Sequence, residues 1–217
     1  NCETDFVARD ESFKQFAEAA AATALAAKTQ DVSALMALPL ATNGAQTVEQ
    51  ARQTLIAKIG ENIQIRRITL ITTTGTISSY IHGGRIGVLV KINGGDAQLG
   101  KDLAMHIAAN NPLVTHREEV PADLVAKEKE IFSAQAQASG KPATVIEKMI
   151  EGRINKFLDE VSLLGQPFVK NPDQSVGQVL KAANATVIHF ERFEVGEGSE
   201  KKVENFAEEV MAQVRGS

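Results

Sequence analysis
The chain has 217 residues, 43% of them hydrophobic and 23% charged, with 23 Lys and Arg against 27 Asp and Glu for a formal net charge of −4. That supports one or two modest domains with real cores and excludes a disordered chain. The acidic balance gains nothing from counterion release on a nucleic-acid backbone, so no direct nucleic-acid partner is expected.

The single cysteine, Cys2, excludes an internal disulfide framework and suits a reducing, cytoplasmic setting. Four scattered histidines show no metal-ligand spacing, so neither metal nor cofactor is expected. The apolar-looking run from Ala17 to Ala27 is interrupted by Glu18 and Thr23 and is too short to span a bilayer.

In chain order, Thr4 and Asp5 are helix starters, because a short side-chain oxygen can bond the free amides of a first turn. Phe6 follows at once, at an element boundary beside a carboxylate. It reads either as a core plug or as a tip presented to a partner, and residue type alone favours the plug. Glu11 to Lys28 reads as a helix with Phe13, Phe16, Ala20, Ala24 and Ala27 on a buried face, and a short helix is expected over Val32 to Ala37. Thr47 and Gln50 form a capping box that opens a helix to Ile59, which Gly60 stops.

The β-branched run from Gln64 to Thr73 predicts a strand. Further strands are expected over Ser78 to His82 and over Arg85 to Ile92, around a turn at Gly83-Gly84. A helix follows from Leu99 to Asn110. Pro121 to Ser139 and Ala143 to Glu160 are helical and joined by Gly140-Lys141-Pro142, which makes an antiparallel helical hairpin too thin to bury both apolar stripes alone. Ser162 to Val169 and Lys170 to Ser175 read as loops, with Ser175 capping a helix to Ala183. The alternating stretch Thr186 to Val195 is a strand, and Lys202 to Val214 is a last amphipathic helix.

A weak internal echo of helix and strand order gives an α+β reading: two related subdomains of small antiparallel sheets packed with helices, plus the inserted hairpin. The expected divisions are 1–75 for the first subdomain, 76–117 with 161–197 for the second, 118–160 for the hairpin and 198–217 for the C-terminal helix.

Bland readings attach to most polar residues. Ile59-Gly60-Glu61 is a capped helix end, His82 an ordinary turn histidine, Arg66-Arg67 a solvated strand edge, and His106 a satisfied core histidine. Gly83-Gly84-Arg85-Ile86-Gly87 precedes a strand rather than a helix and so lacks the helix N-terminus that cradles phosphate. No nucleophile–base pair stands out, so no enzyme is expected. The enzymatic rival would place His82, Arg85 and Glu61 around a phosphate-bearing substrate.

Several stretches, in order, carry a resemblance. They are Asn1-Cys2 with Thr4-Asp5-Phe6-Val7-Ala8-Arg9, Lys58-Ile59-Gly60-Glu61-Asn62-Ile63, Arg85-Ile86-Gly87-Val88-Leu89-Val90, Ala104-Met105-His106-Ile107, Gln166-Pro167-Phe168 and Arg192-Phe193-Glu194-Val195-Gly196-Glu197-Gly198. Together they resemble the elongation factor Ts family over essentially the whole chain. The resemblance implies a guanine-nucleotide exchange factor for elongation factor Tu, a translation role, and no chemistry of its own. It implies that Thr4, Asp5, Phe6 and Val7 disrupt the partner's Mg²⁺ site, with Ile59, Gly60, Glu61 and His82 as further partner contacts. It turns Phe6 from plug to tip. A homodimer through the hairpin is the second expected association, and a scaffold or assembly role on the same surfaces is the alternative function. The family also carries an N-terminal helical module and a strand leading into Asn1, so this sequence is expected to be a piece of a longer chain.

Overall fold
The computed structural model describes residues 1–42, 44–138 and 140–198. The helix expected over Lys202 to Val214, and the C-terminal division with it, lies outside the described residues. Eight α-helices and five strands occur among the described residues, in an α+β arrangement with small antiparallel sheets.

The first half is helical. α1 (Asp5–Arg9) and α2 (Glu11–Ala27) meet at Asp10, whose carboxylate accepts from the Phe13 amide and caps α2. This hydrogen bond holds the Asp10 carboxyl below its ordinary pKa. α3 (Val32–Ala37) is capped by Asp31, and α4 (Val48–Ile59) opens with the Thr47–Gln50 capping box and ends at Gly60 in the left-handed region, φ 86°. Both α4 signals were legible in the residues. Val7, Phe16, Ala20, Leu35, Val48 and Ile63 belong to one apolar cluster.

The strand expected from Gln64 to Thr73 is not formed, and with it goes the sheet expected in the first subdomain. Gln64 exchanges backbone hydrogen bonds with Asn1, donating at 2.9 Å and accepting at 2.6 Å. No strand of the described residues pairs with the run beyond it. β-branched residues favour an extended backbone, but a ladder also needs a neighbouring chain to bond. Arg66 and Arg67 are likewise not a solvated strand edge. The Arg67 guanidinium lies 4.5 Å from the centre of the Phe193 ring and 3.1 Å from the Glu197 carboxylate, while Arg66 donates to the Glu197 carbonyl at 2.9 Å. The run is thereby clasped to the segment around Phe193 and Glu197.

The second half holds the sheets. β1 (Thr76–His82) and β2 (Ile86–Asn93) form an antiparallel hairpin, and β5 (Thr186–Glu194) pairs antiparallel with the other edge of β2. β2 is therefore central, which explains its nearly continuous apolar sequence. α5 (Ala97–Asn110) lies on one face. Val88, Val90, Ile92, Leu103, Ile107, Leu163 and Val187 close a second core. Full burial of a side chain such as Leu103 contributes about 2 kcal/mol.

After the 3₁₀ turn Arg117–Glu119 come α6 (Ala122–Gln137) and α7 (Ala143–Val161), the arms of the predicted helical hairpin. The chain leaves and returns side by side: the Leu113 amide donates to Val161 O at 2.8 Å and the Leu163 amide to Val114 O at 2.9 Å. The segment Lys170 to Ser175, expected as loop, contains β4 (Asn171–Ser175), which pairs with the two-residue β3 (Pro167–Phe168). Pro172 disguises it in the sequence, yet an edge strand tolerates a residue without an amide hydrogen. Ser175 then caps α8 (Val176–Ala182) through a capping box with Gln178.

Candidate functional site
The candidate site is the corner where α1 meets α2. α1 is one turn and a fraction, too short to persist alone, so its direction is set by what holds its ends. Thr4 caps it: the hydroxyl accepts from the Val7 amide at 3.4 Å. Thr4 is in turn held by Glu61, whose Oε1 accepts from the Thr4 hydroxyl at 2.7 Å and whose Oε2 accepts from the Thr4 amide at 3.1 Å. Val7 is only 5% exposed and ties the turn into the first core. The result is that Phe6 stands out at 88% exposure, with Asp5 exposed beside it.

The two readings of Phe6 are thus separated. Its neighbours Phe13 and Phe16 supply the apolar contacts to the core, and Phe6 does not. Displaying a phenyl ring in water forfeits about 2 kcal/mol that burial would return. Of the four residues grouped in the sequence, Val7 is the one whose side chain lies in the core, where it anchors the tip.

The C-terminal end of α4 and the residues just after it converge on the same corner. Ile59 is half-buried against the first core, Gly60 is exposed in its left-handed turn, and Glu61 reaches Thr4. Lys58 adds a contact that sequence reasoning missed: its ammonium donates to the Ser12 hydroxyl at 2.8 Å. Nothing in the spacing announces a partner 46 residues away. Cys2 also lies here, half-buried, with its thiol raised above the ordinary value chiefly by burial and also by the Glu61 and Asp5 carboxylates.

His82 is not part of this cluster. It sits exposed at the end of β1, where its Nδ1 is 3.0 Å from the Tyr80 hydroxyl and its carbonyl accepts from the Arg85 amide at 3.0 Å. His82, Arg85 and Glu61, the residues of the enzymatic rival, make no hydrogen bond or ion pair that gathers all three among the described residues.

An open apolar cleft of about 780 Å³ runs between α2 and the sheet, lined by Phe13, Phe16, Ile65, Ile68, Leu70 and Phe193 among others. Among the described residues no group of three His, Cys, Asp or Glu side chains is placed to hold a metal ion, and no helix is long and apolar enough to cross a membrane.

The molecule is therefore an α+β protein that presents an aromatic–carboxylate tip braced from behind. Comparison with known proteins gives this a family. The model of the family described as Elongation factor TS matches residues 3–197. The elongation factor Ts of Methylococcus capsulatus is 60% identical over 218 residues, covering 100% of this chain and 74% of that protein. That of Legionella pneumophila is 57% identical over 215 residues, covering 99% and 73%, and that of Halorhodospira halophila is 52% identical over 217 residues, covering 100% and 74%. The chain belongs to the elongation factor Ts family, whose place is in protein biosynthesis, and it spans about three quarters of the length of these relatives.

Proposed function
We propose that this protein is a guanine-nucleotide exchange factor for elongation factor Tu and catalyses no bond chemistry of its own. The observation that carries the reading is Phe6, 88% exposed on a helical turn whose next residue is buried. A large aromatic carried on an anchored turn is suited to enter another protein, since little backbone freedom remains to be lost on docking.

The mechanism is linkage. A factor and GDP·Mg²⁺ that prefer different conformations of one GTPase weaken each other's binding by the same factor. Mg²⁺ bridges protein and nucleotide phosphates, so moving its ligands loosens the nucleotide. Phe6 supplies the apolar volume that displaces partner side chains near the metal, and Asp5 anchors the tip by accepting hydrogen bonds. Thr4 and Val7 hold the turn that carries them. Ile59 and Gly60 lie behind the tip and meet a neighbouring surface, and His82 gives a separate contact from the end of β1. The α6–α7 hairpin carries a second association, with another copy of the chain.

The test is release of a fluorescent GDP analogue from elongation factor Tu at millimolar Mg²⁺. Release accelerates with the wild-type chain and much less with Phe6→Ala of unchanged circular dichroism. Equal acceleration by the two proteins removes the tip from the mechanism. Tight binding without acceleration would favour an assembly role on the same surface.

A further inference from the structure
We infer that Glu61 acts as the positioning residue for Phe6 rather than as a contact to the partner. The inference rests on the reading of Phe6 as the working tip and adds what aims it.

Three observations meet in one place. First, both donors of Thr4 go to one carboxylate, at 2.7 Å from the hydroxyl and 3.1 Å from the amide. Giving its hydrogen to Glu61 turns the lone pairs of the Thr4 hydroxyl toward the Val7 amide, so the cap of α1 is oriented from outside the helix. Hydrogen bonds to a charged acceptor are roughly twice as strong as neutral ones, and a two-point bond fixes direction as well as distance.

Second, the backbone delivers Glu61 to that point. Gly60 lies in the left-handed region, φ 86° and ψ 8°, with nothing within 4 Å of the place a Cβ would occupy. The glycine is thus used for its conformation and not for room, and the turn it makes sends Glu61 back toward Thr4. Third, the same helix end grips the other side of the corner, where Lys58 donates to Ser12 at 2.8 Å. The Thr4–Ser12 segment is clamped at both ends by residues 58–61. Both oxygens of Glu61 are engaged with Thr4, so a change at Glu61 acts directly on the cap of α1.

The experiment is an epistasis measurement in GDP release from elongation factor Tu, using the whole chain carrying Glu61→Ala, Glu61→Gln, Thr4→Val, Phe6→Ala, and Phe6→Ala with Glu61→Ala. Loss of a charge-assisted pair of this kind is expected to slow stimulated release about tenfold. Thr4→Val should act like Glu61→Ala, and Glu61→Gln, which keeps one acceptor oxygen, should recover part of the rate. The Phe6→Ala, Glu61→Ala double variant should be no slower than Phe6→Ala alone. A Glu61→Ala defect of the same size with and without Phe6 would overturn the positioning role and make Glu61 a direct contact. Normal release by Glu61→Ala would also overturn it. Normal release by Phe6→Ala is a different failure, since it ends the reading of the tip and the inference with it.

Discussion

His106 Nε2 lies 2.9 Å from Gln166 Oε1, at the point where the root of the helical hairpin meets α5. The imidazole is fully buried, and its Nδ1 accepts from the Val169 amide at 3.2 Å and from the Asn110 side chain at 3.0 Å. Nδ1 therefore carries no proton and Nε2 donates to Gln166, which fixes one neutral tautomer. Gln166 passes the connection on by donating to the Glu160 carbonyl at 2.7 Å, at the end of α7.

Burial lowers the His106 pKa below 6.5, outweighing the opposing hydrogen bond to Gln166. The unfolded chain binds this proton more readily than the folded one. The contribution of neutral His106 is thus complete above pH 6.5 and is lost as pH falls through the folded value. One such proton contributes a slope of at most about 1.4 kcal/mol per pH unit. Urea unfolding at pH 7.5 and pH 5.5 should show wild type losing more stability than His106→Gln between the two values. Parallel losses would show that His106 does not titrate with unfolding.

Gly100 is where α5 comes down onto β1. A Cβ placed there would lie 2.9 Å from the Ser78 Cβ and closer still to its hydroxyl. Ser78 is buried and its backbone is paired with Val90, so neither side can withdraw without moving the sheet. Alanine normally favours a helix interior by roughly 0.5–1 kcal/mol over glycine. Here the clash should win, and Gly100→Ala should destabilise the protein by about 1–3 kcal/mol. Ser78→Ala in the Gly100→Ala background removes the hydroxyl and should return part of that loss. Denaturant midpoints of the single and double variants measure it.

Adjacent residues in the tip should respond in opposite ways. Phe6→Ala removes a side chain already in water, so the unfolding free energy should stay within about 0.5 kcal/mol of wild type. Val7→Ala removes buried methyl groups and should cost about 1–2.5 kcal/mol. A Phe6→Ala loss comparable to that of Val7→Ala in urea unfolding would place the ring in the core.

The parts of this fold legible in the residues are those encoded locally. Thr47 with Gln50, Ser175 with Gln178, and Gly60 announce helix ends within four positions of themselves, and the structure has a cap at each. The apolar run of β2 marks its central place for the same reason. What depends on distant partners was not legible. Gln64 to Thr73 has the composition of a strand but forms no ladder among the described residues, and Asn171–Ser175 lacks strand composition yet pairs with Pro167 and Phe168. At the site, the exposure of Phe6 could not be read from its type, because residue type favours burial. It follows from Thr4 and Val7 being held from behind, and one of those holds comes from Glu61, 57 positions along the chain.

The hairpin provides the last prediction. Ala136 is its only buried residue among the described residues of α6 and α7. Ile131 and Val145 are 49% and 41% exposed, and the remaining apolar residues of the facing stripes are half-buried. Arg153 crosses between the arms, 5.4 Å from the centre of the Phe132 ring and 2.7 Å from the Gln135 side chain. The root is held by Arg117, 3.4 Å from Asp159 and 3.0 Å from the Asn155 side chain. Two helices so joined keep their shape but leave apolar surface in water, which a second copy of the hairpin would cover. Sedimentation velocity across a hundredfold concentration range should then show wild type passing from monomer to dimer. Ile131→Glu with Val145→Glu should stay monomeric with unchanged helix content, because each places a charge where the partner hairpin would desolvate it. If wild type is monomeric throughout that range, the exposed stripe has another occupant.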